Sequence, residues 1–188
     1  MSLLILGLAI FLGIHLLPAL PPARVALVRR WGDQRYKGIF SLASAIGLAL
    51  IVAGYALSGD RARIFAPLPA AKTLAPYAMT LAFILLAAAN MRSHLRRLLK
   101  HPMLLGVLVW SLVHLLANGD RTGTVLFGAF LAYALVDLAS AVQRGAVKPF
   151  EPTIRHDAIA IAAGVVVALG VMTFHRVLFG VPVVGFGI

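Results

Sequence analysis

Two histidines lie deep inside long apolar stretches of this sequence. His15 belongs to the first stretch, and His114 lies within Lys100–Asp120, KHPMLLGVLVWSLVHLLANGD. A polar side chain in hydrocarbon is costly unless it has a partner, and imidazole is a common metal ligand. The pair therefore predicts either a metal or heme held between helices, or polar side chains satisfied by helix packing. The residues alone leave both interpretations open.

Helix geometry determines which histidines could act together. His101 and His114 are thirteen positions apart, roughly 20 Å along one helix, so they cannot bind the same ion from a straight helix. His15 and His114 fall on separate spans, at depths expected to differ by about 10 Å at most. This arrangement is typical of a cofactor clamped between helices, so His15 and His114 are the candidate metal ligands if a metal is bound.

One face of the helix predicted around His114 carries a stripe that could line a pocket. The i, i+3/i+4 spacing places Met103, Val107, Trp110, His114 and Asn118 on this face. Met103 and Trp110 are expected to pack on a macrocycle, and Asn118 to hydrogen-bond a ligand. Ordinary helix–helix packing explains the same stripe, and for Trp110 alone it is the preferred interpretation.

Asp137 is the only acidic residue inside an apolar span. It is predicted near the level of His15, where its carboxylate could orient the His15 Nδ1–H. An ion pair with an arginine near the end of the span is the favoured alternative, because side chains there extend toward the interface. The other histidines lie in loops or at span edges and are expected to be interfacial: His94, His101, His156 and His175.

Composition indicates an integral membrane protein. Of 188 residues, 61% are hydrophobic and the mean hydropathy is +0.96, whereas soluble domains are about half apolar. The net charge of +11 lies in loops between apolar spans, which favours contact with anionic lipid headgroups over nucleic acid. The absence of cysteine excludes disulfides, thiolate metal sites and iron–sulfur clusters.

The hydropathy pattern predicts an all-α bundle of about six transmembrane helices in a single domain, residues 1–188. An apolar tail, VPVVGFGI, is too short to cross, and the first span is expected to be retained rather than cleaved as a signal peptide. The predicted spans are Leu3–Leu20, Gly38–Leu57, Leu74–Met91, Pro102–Asn118, Thr122–Gln143 and Asp157–Phe179.

The segments between these spans also carry predictions. Arg24–Lys37 and Ser58–Thr73 are predicted as loops, the second because of its prolines. The stretch RSHLRRLLKHP is predicted to continue the third span as an interfacial amphipathic helix. Close helix packing is predicted at small residues, namely Gly47, Gly54, Ala160, Gly164 and Ala168.

The distribution of positive charges among the loops predicts the orientation of the protein in the membrane. The loops after spans 1, 3 and 5 carry 12 of the 17 Lys and Arg residues, and the opposite side carries 5. The richer side is expected to be cytoplasmic. Both termini would then be periplasmic in a bacterial inner membrane.

Several stretches resemble the NnrU family of bacterial membrane proteins. They cover most of the chain, and the most specific is WSLVHLLANGD (Trp110–Asp120). The others are GIHLLP (Gly13–Pro18), the Arg-rich stretch to Tyr36, FSLAS (Phe40–Ser44), KHPMLLG (Lys100–Gly106) and LFGAFLAYA (Leu126–Ala134).

This resemblance implies a function. The family is named from its link to respiratory reduction of nitrite and nitric oxide, and it is similar to the plastid zeta-carotene cis–trans isomerase. That enzyme binds heme b through two histidines and isomerises a central cis double bond when the iron is reduced. Carried over, its ligands fall on His15 and His114, although an auxiliary histidine expected near span 2 has no counterpart here. The resemblance thus implies heme b, a polyene or nitric oxide as ligand, and a respiratory-complex partner.

Two alternatives remain open. KHPMLLG also resembles the RHPxYxG element of membrane methyltransferases that use S-adenosylmethionine. Those enzymes need an acidic pair downstream, and Glu151 is the only glutamate in this chain. The other alternative is a cofactor-free assembly factor for a respiratory complex.

Overall fold

The computed structural model describes residues 1–147, 149–181 and 183. Lys148 and most of the apolar tail predicted at the C-terminus lie outside these residues. The described residues form eight α-helices and a 3₁₀ turn, Leu17–Ala19. The helices are α1 (Ser2–Leu16), α2 (Pro21–Trp31), α3 (Asp33–Ala56), α4 (Pro69–Ala88), α5 (His94–Leu99), α6 (Pro102–Asn118), α7 (Arg121–Gln143) and α8 (Ile154–Phe179).

The helix lengths confirm a polytopic all-α membrane protein. Five segments are long and apolar enough to cross a membrane: α1 with its 3₁₀ turn, α3, α4, α7 and α8. The sixth, α6, is apolar but has only 17 residues, as the sequence predicts. Lipid therefore surrounds the apolar outer faces of the bundle.

The loop predicted over Arg24–Lys37 is wrong. This region belongs to α2 and to the first turns of α3, which are separated by Gly32 at φ +77°. Pro21 and Pro22 begin α2 because the first helical turn does not need their missing N–H groups. The prolines therefore mark the start of a helix here, and not a loop.

The second predicted loop and the predicted interfacial helix also differ from the structure. Pro69 begins α4, so residues 69–73 are helical although the prolines predicted otherwise. The prediction that RSHLRRLLKHP continues the third span is also wrong. α4 ends at Ala88, and α5 starts anew because the Ser93 side chain accepts a hydrogen bond from Arg96 N at 3.1 Å.

Glycines let the helices approach closely, as predicted. A Cβ atom at Gly54 of α3 would lie 2.3 Å from Leu4 N in α1. One at Gly164 of α8 would lie 2.5 Å from Ile84 Cα in α4, and one at Gly106 of α6 would lie 3.0 Å from Ala82 O. Ala160, Gly164 and Ala168 are all buried along α8.

The packing order places α7 between two groups of helices. α1 packs most extensively on α3, while α4 packs on both α6 and α8. α7 packs along α6 and also contacts α1. α1 and α6, which carry the two intramembrane histidines, therefore meet along α7.

The turn between α6 and α7 is joined to the loop between α3 and α4. Gly119 has φ +72°, and its carbonyl accepts hydrogen bonds from Ile64 N at 2.8 Å and Phe65 N at 3.2 Å. The Asp120 side chain caps α7 by accepting from Gly123 N at 2.9 Å. We call residues 58–68 with 118–122 the loop clamp. It gives the sequence Asn118-Gly119-Asp120 a structural role.

Arg61 adds charge pairing to the loop clamp. Its guanidinium lies 4.7 Å from the centre of the Tyr55 ring and 3.6 Å from Asp120 Oδ1. A hydrogen bond with Tyr55, followed by the nearby Asp120 carboxylate, raises the pKa of Arg61 above its ordinary value. These contacts connect the loop after α3 to the Asp120 cap of α7.

Thr122 holds the buried centre of the clamp, and we expect Thr122→Val to destabilise the protein. Its hydroxyl donates to Asp60 O at 2.7 Å and accepts from Ser58 Oγ at 2.8 Å, with no exposed surface. Losing this oxygen leaves both partners unsatisfied, at about 1–3 kcal/mol of unfolding free energy. Thermal unfolding in detergent measures the change. Thr73→Val, at an exposed hydroxyl, is the control, and equal shifts in both variants would contradict the prediction.

Candidate functional site

Four aromatic side chains meet where α1, α6 and α7 come together. The Phe130 ring centre lies 5.9 Å from that of Phe11 and 5.2 Å from that of Trp110. Trp110 also lies 5.1 Å from Phe127, in an edge-to-face contact. We call Phe11, Trp110, Phe127 and Phe130 the aromatic core.

The two intramembrane histidines lie at opposite sides of this aromatic core. The His15 ring centre is 4.2 Å from that of Phe11 on the same helix. The His114 ring centre is 4.8 Å from that of Phe127 and 5.5 Å from that of Trp110. The imidazoles do not stack on each other. A continuous series of ring contacts through the aromatic core joins them instead.

The contacts of the two imidazoles with α7 indicate how far apart they lie along the axis of that helix. His15 also contacts Tyr133, with ring centres 6.4 Å apart, while His114 contacts Phe127. Tyr133 and Phe127 are six positions apart on α7, which corresponds to about 9 Å of helix rise. The imidazoles therefore contact α7 at levels that differ by about this distance.

Both imidazoles use the same nitrogen for a hydrogen bond. His15 Nδ1 lies 2.7 Å from Phe11 O, and His114 Nδ1 lies 2.9 Å from Trp110 O. Because a carbonyl oxygen only accepts, Nδ1 carries the proton in each ring. In the neutral form of such a ring, Nε2 is the nitrogen that carries the lone pair. A histidine that binds a metal through Nε2 uses this tautomer, with Nδ1–H fixed by a backbone carbonyl.

The other residues of the predicted stripe separate into two sets. Trp110 lies in the aromatic core beside His114. Met103 is 48% exposed and lies two helical turns away from Trp110. Asn118 lies in the last turn of α6, where its Cβ is 3.3 Å from the position that a Gly123 Cβ would occupy. Met103 and Asn118 thus lie outside the aromatic core, and their predicted ligand contacts stay predictions.

Asp137 does not hydrogen-bond His15, so the less favoured of its two predicted roles is not the one observed. The His15 Nδ1–H is already used by the carbonyl of Phe11. The Tyr133 hydroxyl donates to Asp137 Oδ2 at 3.2 Å, and Arg144 Nη2 lies 4.0 Å from Asp137 Oδ1. The favoured alternative, an ion pair with an arginine near the span end, matches this arrangement.

Tyr133 is the contact that the sequence interpretation missed. It links Asp137 to His15, because its ring lies edge-on to the imidazole while its hydroxyl reaches the carboxylate. Phe127, Phe130 and Tyr133 recur every three residues on α7, and this spacing on one helix face is the signal that would have indicated it.

The four remaining histidines have partners outside the aromatic core. His101 is the N-cap residue of α6, and the other three use Nδ1 in short contacts. Their partners are Asp157 Oδ2 at 2.6 Å for His94, Thr153 Oγ1 at 2.8 Å for His156, and Val181 O at 2.6 Å for His175.

The donor set limits which metal group could bind. Among the described residues, no three His, Asp or Glu side chains are grouped closely enough to hold a metal ion. A zinc-type site needs three or four protein ligands. A porphyrin supplies four nitrogens itself and needs only one or two axial ligands. The two Nε2 atoms and the aromatic walls therefore suit a heme better than a bare ion.

Comparison with protein families agrees with the arrangement of helices and motifs. Neither the curated proteins nor the solved structures contain a match to this chain. A family model described as NnrU protein matches residues 3–183, which is nearly the whole chain. The chain therefore belongs to the NnrU family of membrane proteins.

Proposed function

We propose that this protein is a b-type heme protein of the membrane, with His15 and His114 as axial ligands. The observation that carries the proposal is the position of two intramembrane imidazoles at opposite sides of one aromatic core, each with Nδ1 within 2.9 Å of a carbonyl oxygen of its own helix. Each has its Nδ1–H fixed by its own helix, and each has a lone pair on Nε2. A bound heme would supply a redox-active iron, low-spin when both imidazoles bind it.

Heme binding between the two imidazoles would require a side chain of the aromatic core to move. Phe130 contacts both Phe11 and Trp110, so it occupies the connection between the two imidazoles. A macrocycle between them needs this ring to rotate away. Phe11 and Trp110 would then pack on its faces, which is favourable for a flat apolar group.

The surrounding residues also suggest the ligand class. The aromatic core is apolar and in reach of lipid, so it suits a hydrophobic polyene or the small neutral molecule nitric oxide. The proposal therefore covers two roles, redox-gated cis–trans isomerisation of a carotenoid-like polyene or a step linked to nitrogen-oxide respiration. Met103 and Asn118 lie at opposite ends of α6, so their contacts with a ligand stay predictions in either role.

The proposed location is the bacterial inner membrane, with both termini periplasmic. One end of the bundle carries eleven of the sixteen Lys and Arg residues that the structure describes. They lie in α2, the start of α3, α5 and its flanking residues, the end of α7 and the start of α8. The loop clamp lies at the opposite end of the bundle, since α4 runs from one to the other. The cation-rich end is expected to face the cytoplasm. Cysteine substitutions at Arg30 and Arg63, labelled with a membrane-impermeant thiol reagent, test this: Arg63→Cys should react in intact cells and Arg30→Cys should not.

The direct test is a dithionite-reduced minus oxidised absorption spectrum of the purified full chain. The cells are supplied with a heme precursor, so that cofactor supply does not limit the result. We expect sharp α and Soret bands with about one heme per chain. A colourless protein would contradict the proposal and would favour a cofactor-free assembly factor.

The motif that suggested a methyltransferase has a structural role in this fold. In KHPMLLG, Lys100 adopts φ +62° at the end of α5, and Pro102 is the first residue of α6. Gly106 permits the close contact of α6 with Ala82 of α4. S-adenosylmethionine binding by a colourless preparation, measured by calorimetry, would revive that alternative.

A further inference from the structure

A groove lies between α5 and the first turns of α8. Its volume is about 690 Å³, and it is lined by His94, Leu95, Arg97, Leu98, Asp157 and Ile161. The hydrogen bond from Thr153 N to Arg92 O at 2.9 Å fixes the connection before α8 to the segment before α5. The groove is therefore a built feature of the cation-rich end, at the depth where lipid headgroups meet protein.

Hydrogen bonds already satisfy the acidic side chain of the groove. Asp157 Oδ2 lies 2.6 Å from His94 Nδ1, and Asp157 Oδ1 accepts from Leu95 N at 3.1 Å. Arg97, by contrast, is exposed, and it has no acidic partner within the described part of the chain. The charge left over in the groove is thus positive.

The groove changes from polar to apolar along its length. Ile161 lies one helical turn beyond Asp157 on α8, further into the membrane, and it is 50% exposed. Leu98 on α5 is 77% exposed on the same groove. The groove thus places a cation, Arg97, next to exposed apolar side chains. A phospholipid has the complementary parts, a phosphate headgroup and apolar acyl chains. Phosphate pairs with a guanidinium, and acyl chains cover leucine and isoleucine.

We propose that this groove binds one anionic phospholipid, with Arg97 as the ligand of its phosphate headgroup. Leu98 and Ile161 contact the acyl chains. The proposal is independent of heme, because the groove shares no lining residue with the aromatic core. It commits to a lipid rather than to free phosphate, because free phosphate would leave the apolar wall uncovered.

Native mass spectrometry of the detergent-purified full chain tests this site. The probes are phosphatidylglycerol and phosphatidylcholine with identical acyl chains. We expect the wild-type protein to retain phosphatidylglycerol preferentially, and Arg97→Gln to weaken its binding about fivefold. Arg97→Lys should keep the binding, since the charge is conserved. Leu98→Ser, at an exposed position that the fold tolerates, should weaken the binding of both lipids.

Arg30→Gln is the matched control, because Arg30 is an exposed cation on α2 at the same end of the bundle. It should leave phosphatidylglycerol binding unchanged. Equal effects of Arg97→Gln and Arg30→Gln would overturn the proposal in favour of general surface attraction. Equal retention of the two lipids would overturn it as well. Displacement of the lipid by inorganic phosphate would indicate a soluble phosphate ligand, which also contradicts the proposal.

Discussion

Purified His15→Ala and His114→Ala proteins should each lose their heme absorbance. Removing an axial ligand should lower heme retention by at least about tenfold, because even outer partners of metal ligands are worth ~10–100-fold. Both imidazoles already have Nδ1–H fixed on their own helices, at 2.7 Å and 2.9 Å from the carbonyl oxygens. Each variant therefore removes a prepared Nε2 donor. The reduced minus oxidised spectrum, normalised to protein, measures the loss.

The control for the histidine variants is His175→Ala. His175 also lies on a spanning helix, but it is half-buried and its Nδ1 contacts Val181 O rather than a group of the aromatic core. Its replacement should leave the spectrum unchanged. Adding imidazole to the His15→Ala and His114→Ala proteins should restore part of the absorbance, because free imidazole can occupy the space left by the side chain. Retention of full heme in both variants would assign the ligands elsewhere.

Gly164→Ala should strongly destabilise the bundle. Its new Cβ would lie 2.5 Å from Ile84 Cα and 2.6 Å from Ile84 N, both backbone atoms that cannot rotate away. α4 and α8 would have to separate along their whole contact. Overpacking of this kind costs about 1–3 kcal/mol, and rigid backbone neighbours place this site at the upper end. Thermal unfolding monitored by circular dichroism in detergent measures the shift.

The same helix supplies the control for Gly164. A Cβ at Gly170 meets no heavy atom within 4 Å, so Gly170→Ala should be neutral or stabilising by up to about 1 kcal/mol. Gly54→Ala and Gly38→Ala form a second such pair on α3, with Leu4 N at 2.3 Å from the first position and nothing within 4 Å of the second. If both members of a pair shifted equally, helix propensity and not close packing would explain the glycines.

Local sequence signals predicted the spans but not all of their ends. Hydropathy located the apolar helices because crossing a bilayer requires a long run of apolar residues. The proline-rich connections were misjudged, since Pro21 and Pro69 begin helices where they were predicted to prevent them. A proline has the same fixed φ and the same missing N–H in a loop and in the first turn of a helix. Only the position of the next hydrogen-bonded turn distinguishes a loop from a first turn.

The two candidate ligands were recognisable from sequence because an imidazole inside an apolar run is costly and therefore conspicuous. Their surroundings were not. Tyr133 reaches His15 from α7, and Phe130 joins α1 to α6 across α7, so both contacts depend on which helices are neighbours. Asp137 was placed near the correct level, but the tertiary structure assigns it to Tyr133 and Arg144.

The sequence by itself determined the membrane location, the all-α class, the number of apolar spans and the pair of intramembrane histidines. These follow from solvation, because residue type alone sets the cost of transfer into hydrocarbon. The tertiary structure decided the order of helix packing, the aromatic core between the histidines, and the loop clamp around Gly119 and Asp120. These features depend on contacts between residues far apart in the chain, such as Ser58 with Thr122, which are 64 positions apart. No local sequence pattern encodes such contacts.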